Sequence, residues 1–169
     1  MLTTNSPVLD IFFQGWKDYQ EQFTVVLRPL SSEQLTIRVA PNLRSVGEIA
    51  SHVIAARASW FYEILHERDD EIAAIMQWDR QDQAVRNAAE LVYGLEVTWT
   101  MVQDAFSRWT PTDLVAPIVV PWVGPEYPIS RAWVLWHLLE HDLHHGGELT
   151  HSLGMLGLVV KLPPPPPET

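Results

Sequence analysis

Residues 137–149 read HLLEHDLHHGGEL: four histidines within nine positions, followed at once by Gly146 and Gly147. On a helix turning about 100° per residue, His141 and His145 lie about 40° apart, one turn removed on the same face. Two imidazoles so placed can reach one divalent ion at about 2.0–2.1 Å. Val134 and Leu138 fall in the same sector, so this face turns toward the protein interior. There the rings need a metal or hydrogen bonds to offset their burial. A third ligand is found in GEIASHVIAARASW, where the apolar residues Ile49, Val53, Trp60 and Ile64 centre about 90° from His52. His52 is therefore expected at the rim of a buried stripe, facing a pocket. Three neutral imidazoles with an open fourth position form the catalytic pattern in which a bound water becomes acidic near neutral pH.

A surface or chance origin of the i,i+4 pair stands beside this reading. A carboxylate-bridged di-iron site is a further possibility, because Glu63–His66 and Glu148–His151 are both Glu-x-x-His pairs. Each histidine of those pairs lies about 60° from its glutamate and leaves the inward sector, which disfavours that site. Glu148 stays near the His141 direction and is a candidate to orient a ligand. Glu48 is another, although its position also suits a helix cap. Asp142 and Glu140 read as solvated charges, and His137, His144, His66 and His151 as bland. Trp133, Trp136 and Trp122 either line an apolar pocket or serve as plain core.

Four long helical patterns must position these groups. The first runs from about Val8 to Leu27, with Ser6 as cap, Pro7 at the first position and Pro29 beyond its end. The second opens at Ser45, where Ser45-Val-Gly-Glu48 fits a capping box. Residues 67–86 are polar with weak helical signals. The third starts near Asn87, again with a box to Glu90, and Thr110-Pro111 stops it. Neither the first nor the third helix carries a histidine. A proline-rich connector, PTDLVAPIVVPWVGPEYPI, has room for a short extended hairpin but not a central strand. Ser130 caps the fourth helix. The pattern predicts an all-α protein, a four-helix bundle with a long proline-rich connector before the last helix. The bundle domain is expected over residues 5–160. Residues 161–169 form a proline-rich tail in extended polyproline II, a solvated tail rather than a recognition ligand.

The chain has 169 residues, enough for one domain with a substantial core. Its net charge of −10 argues against nucleic acid or an anionic membrane as partner. It has no cysteine, which excludes disulfides, thiolate nucleophiles and Cys-ligated metals. The start lacks the features of a secretory signal and no apolar run is long enough to span a bilayer. A cytoplasmic protein is expected.

The stretch WHLLEHDLHHGGELTHSLGMLG resembles the last helix of the DinB-like (DinB/YfiT-type) proteins. SVGEIASHVIAARASWF is similar to their second helix, and AELVYGLEVTWTMVQDAFSRWTPTDL to their third. The likeness spans roughly residues 5–158. In that family a histidine of the second helix joins a His-x3-His pair of the last to bind a divalent metal. The resemblance thus implies His52, His141 and His145 as ligands. Zinc or nickel is expected first, with iron or manganese as further candidates. Known activities of the family imply a thiol S-transferase or hydrolase type of enzyme, in which water or a low-molecular-weight thiol attacks a small-molecule substrate. A non-catalytic metal-binding or dimerisation bundle in stress response is the alternative, and a homodimer is expected. The family commonly has a basic residue after the second histidine; here that place is Gly146. Two mid-helix glycines cost on the order of 1 kcal/mol each, so close approach of another helix, a subunit or a substrate is expected to offset them. The other possibility is that the helix ends at His145; resumption of a helical pattern in ELTHSLGMLGL favours continuation.

Overall fold

Three of the long helices start where a side chain satisfies their first free N–H groups, at Ser45, Asn87 and Ser130. The structure, a computed structural model, describes residues 7–81 and 83–158. Helix α1 spans Pro7–Leu27 and the one-turn α2 spans Ser32–Leu35. Helix α3 spans Val46–Ser59, and both halves of its capping box form: Ser45 N–H donates to Glu48 Oε2 at 2.7 Å, and Glu48 N–H to Ser45 Oγ at 3.3 Å. Helix α3 continues directly into a π-helical turn, Trp60–Ile64. Helix α5, Ala88–Arg108, begins on the predicted Asn87–Glu90 box. Helix α7, Arg131–Met155, is capped by Ser130 and runs through Gly146 and Gly147 without a break.

The polar stretch 67–86 contains more order than its composition suggests. Asp69 accepts from Glu71 and Ile72 N–H and starts helix α4, Asp70–Ile75, which buries Ile72 and Ile75. Thr110-Pro111 does end α5, but the same pair opens a short α6, Pro111–Val115, with Pro at its first turn. The connector then holds two antiparallel two-residue strands, β1 (Pro117–Ile118) and β2 (Ile129–Ser130), paired Pro117 to Ser130 and Ile118 to Ile129. The Ser6 cap and the proline tail at 161–169 fall outside the described residues.

The protein is thus an all-α bundle of four long helices with a proline-rich connector before the last. Helix α3 is the most enclosed: ten of its 14 residues are buried, and it packs against α4, α5 and α7. One apolar cluster includes Leu27, Ile49, Val53, Leu91, Leu95 and Leu149; a second includes Trp16, Phe61, Trp99, Phe106 and Leu138. No helix among the described residues is long and apolar enough to cross a membrane.

Asp142 is not the solvated charge its type suggests. It is fully buried, as is Arg57. Arg57 Nη2 donates to Asp142 Oδ2 at 2.7 Å, and Arg57 Nε donates to both carboxylate oxygens. Trp16 Nε1 of α1 donates to the same Oδ2 at 2.7 Å. Arg57 Nη1 donates to Gln20 Oε1, and Gln20 Nε2 to the Leu95 carbonyl. One polar network thereby joins all four long helices, with every charged atom given a partner, which is the condition for burying an ion pair without a net penalty.

Candidate metal centre

Val134, Leu138 and Leu149 form the fully buried stripe of α7. His141 and His145 lie on its flank, half-buried, and His52 stands opposite at the edge of α3 with 21% of its side chain exposed. The predicted rim position of His52 is the observed one. The three rings converge: His52 Nε2 lies 3.0 Å from His141 Nε2. Ring centroids are 4.8 Å apart for His52–His141, 4.6 Å for His52–His145 and 4.4 Å for His141–His145. One nitrogen from each ring falls within 4.8 Å of the other two.

Two carboxylates hold rings from behind. Asp79 Oδ2 bonds His52 Nδ1 at 2.8 Å, and Glu148 Oε2 bonds His145 Nδ1 at 2.7 Å. Each carboxylate favours a proton on Nδ1 and leaves the Nε2 lone pair directed to the shared space, the usual arrangement behind a metal-bound histidine. His141 Nδ1 is buried without a hydrogen-bond partner. Burial, reinforced by His145, His52, His137 and Arg57, pushes the His141 pKa down to about 3, so this ring is neutral at physiological pH. Burial also lowers that of His145, against the opposing pull of Glu148. Asp79 titrates below the ordinary carboxylate range: burial opposes this, but the hydrogen bond and charge of His52 and the charge of Arg44 outweigh it.

The donor set fits a divalent metal ion. Its three nitrogens can be neutral and unprotonated. Two nitrogens bound at tetrahedral angles would stand about 3.3 Å apart, close to the His52–His141 separation. A second group, His144, His145 and Glu148, is more exposed and shares two residues with the first centre's surroundings.

Glu148 contacts a ring of the histidine cluster, whereas the contacts of Glu48 lie elsewhere. The Glu48 carboxylate is engaged by Ser45 N–H and by the Arg38 guanidinium; against the opposing effect of burial, the Ser45 backbone hydrogen bond and then the Arg38 contact lower its pKa. The residue behind His52 is instead Asp79, from the polar stretch after α4. It carries no helical phase relation to His52, 27 positions away, so nothing in local spacing could have found it. Glu63, His66 and His151 are exposed, which removes the Glu-x-x-His pairs from any buried centre.

The tryptophans are not plain core. Trp122 is 64% exposed, Trp133 43% and Trp136 53%. Trp122 and Trp133 both touch Trp60, at centroid distances of 6.2 and 5.9 Å, whereas Trp136 has no ring contact among the described residues. His137, which reads as bland in the sequence, stacks on Trp133 at 5.0 Å with 13° between planes.

Gly146 has a specific reason to lack a side chain. A Cβ there would overlap the Tyr19 hydroxyl and stand 2.8 Å from Tyr19 Cζ and 2.9 Å from Phe23 Cε2. Helix α1 is thus the close neighbour. A Cβ on Gly147 would meet nothing within 4 Å, so close approach within the chain does not account for that residue.

Comparison with known proteins agrees with this architecture. The curated protein YrdA of Bacillus subtilis (strain 168), itself uncharacterized, is 25% identical over 154 residues, covering 90% of this chain and 85% of that protein. Among solved structures, a DinB-like protein from Bacillus cereus ATCC 10987 superposes with a TM-score of 0.69 at 23% identity, covering 89% of this chain and 93% of the other. The DinB-like protein YjoA from Bacillus subtilis gives a TM-score of 0.65 at 16% identity, covering 89% and 94%. These two likenesses are of fold. The profile of the DinB superfamily matches residues 16–149, most of the sequence and all three clustered histidines, and the chain belongs to that superfamily.

Proposed function

We propose that the chain is a divalent-metal-dependent enzyme acting on a small electrophilic substrate, of thiol S-transferase or hydrolase type. The convergence of His52, His141 and His145 from two helices, with Asp79 and Glu148 behind two of the rings, is the observation that carries this reading. The three imidazoles would hold the ion, zinc or nickel first, through Nε2 of His52 and His145 and a nitrogen of His141. When bound, such an ion supplies Lewis acidity that makes a water or a low-molecular-weight thiol nucleophilic near neutral pH. The protein's own contribution is orientation. Asp79 and Glu148 fix ring direction and tautomer, and the depressed pKa of His141 keeps one donor unprotonated without competition from protons. Nothing charged on the chain is needed as a separate base.

The deciding experiment is metal analysis of the purified protein, followed by assay of the zinc- and nickel-loaded forms against a panel of electrophiles, each with water alone and with several low-molecular-weight thiols. About one ion per chain and metal-dependent turnover of at least one electrophile are expected. One bound ion with no turnover across the panel would favour the second reading, a non-catalytic metal-binding or dimerisation bundle. That reading draws on the outward stripe of α7, where Trp136 and Leu143, seven residues apart, are 53% and 46% exposed and Gly147 follows four residues later. A homodimer through this stripe belongs to the same proposal.

A further inference from the structure

The histidine stripe of α7 does not stop at the metal centre. Trp133, His137, His141 and His145 recur every four residues, so all four side chains line one edge of the helix. Helix α3 runs alongside with His52 opposite the His141–His145 end and Trp60 opposite the Trp133–His137 end. The result is a continuous track. His141 lies 6.2 Å from His137, His137 lies 5.0 Å from Trp133 and 4.9 Å from Trp60, and Trp60 lies 6.2 Å from Trp122 on the connector.

The rings form a connected aromatic cluster that reaches the surface. Trp60 is partly buried and touches Trp122 on one side and Trp133 and His137 on the other, inclined by 73°, 53° and 64°. Trp122 and Trp133 each touch Trp60 and make no ring contact with each other among the described residues, so Trp60 is the ring they share. Three separate elements supply the parts: the connector, the π-helical turn after α3, and α7. A π-helical turn inserts an extra residue into a helix and recurs at functional sites. Here it begins at Trp60 itself, while Phe61 and Ile64 after it face the core.

Core tryptophans of this protein are enclosed: Trp16 is 1% exposed and Trp99 7%. Trp122 and Trp133, at 64% and 43%, leave aromatic faces to water, a cost that a ligand would remove. Eight residues of helix separate Trp133 from His141, about 12 Å, the length of a bicyclic small molecule with one substituent. Offset and edge-to-face packing of a flat ring against tryptophan and imidazole is favourable beyond its buried area, and a saturated ring lacks that term.

We propose that the cluster of Trp60, Trp122, Trp133 and His137 binds the flat aromatic part of the substrate, with its reacting group directed along the track to the His52–His141–His145 centre. The inference rests on the enzymatic reading above and names its substrate class as small aromatic or conjugated electrophiles.

The test is calorimetric titration of the full-length, zinc-loaded protein with 2-naphthalenemethanol and with its saturated decahydro analogue. The aromatic probe is expected to bind one per chain and more tightly than the analogue by about fivefold or more, the scale of one aromatic ring pair. Trp133→Leu and, on the connector, Trp122→Leu should each weaken it by a similar factor with zinc content unchanged. Trp136→Leu, about 60° around α7 from Trp133 and without a ring contact to the cluster among the described residues, should leave it unaltered. Equal affinity for the two probes, absence of saturable binding, or insensitivity to both the Trp133 and Trp122 variants would overturn the inference. So would a shift from dimer to monomer in Trp133→Leu by sedimentation, which would give the cluster to a second copy of the chain. Preference for the aromatic probe without turnover in the electrophile panel would leave the aromatic site standing and remove the enzymatic reading instead.

Discussion

Arg57 and Asp142 meet as a fully buried ion pair, Nη2 to Oδ2 at 2.7 Å, and Asp142 directly follows the clustered histidine His141 in the chain. The pair couples α3 to α7, the two helices that supply the three imidazoles. Its geometry therefore bears on stability and on the histidine spacing together.

Removing one partner leaves the other charge stranded away from water. Asp142→Ala is expected to destabilise the protein by about 3–5 kcal/mol, read as a lower urea midpoint. Arg57→Met combined with Asp142→Leu should recover most of that loss, because neither charge then remains to be solvated. If the double variant is no more stable than Asp142→Ala, the pair does not act as described.

His141→Ala should abolish most metal retention after dialysis, whereas Asp79→Asn should leave the fold intact and weaken affinity by about 10–100-fold, the usual effect of losing the group behind a ligand. Metal content by elemental analysis and competition with a chelator measure the two effects. Parent-like metal content in His141→Ala would remove that histidine from the centre.

Acid should destabilise the metal-free protein through its buried histidines. His141 is held near pKa 3 in the fold but returns to about 6.5 when unfolded. Between those values the unfolded chain binds a proton that the folded chain refuses, so folding stability falls as pH drops from about 6.5 toward 3. His145, also depressed, acts in the same direction. Urea midpoints of chelator-treated protein at pH 7 and pH 5 should show this loss, and His141→Phe should reduce it.

The two adjacent glycines should respond oppositely to alanine. Gly146→Ala drives a Cβ into Tyr19 and is expected to cost about 1–3 kcal/mol by overpacking. Gly147→Ala meets open space and should stabilise α7 by up to about 1 kcal/mol. Thermal unfolding of the two variants distinguishes them, and Tyr19→Ala should relieve the Gly146→Ala defect.

Much of this was legible from local pattern. Capping boxes at Ser45 and Asn87, the Ser130 cap and the apolar periodicity are short-range features. They report helix starts and faces directly because the backbone N–H groups they satisfy lie within one turn. The His141–His145 pair and the rim position of His52 follow from the same 3.6-residue repeat. Helix α4 was hidden because its two buried isoleucines give too little periodicity over six residues.

What only the tertiary structure decided is who meets whom across helices. Asp142 lies close to the inward sector of α7, but its charge suggests water until Arg57 arrives from α3 to neutralise it. Asp79 reaches His52 from an irregular stretch, Tyr19 from α1 explains Gly146, and Trp60 from the π-helical turn joins two exposed tryptophans of the connector and α7. Helical phase determines the direction in which a side chain leaves its own axis. The partner it finds there depends on packing between segments far apart in the chain, which no single-helix repeat encodes.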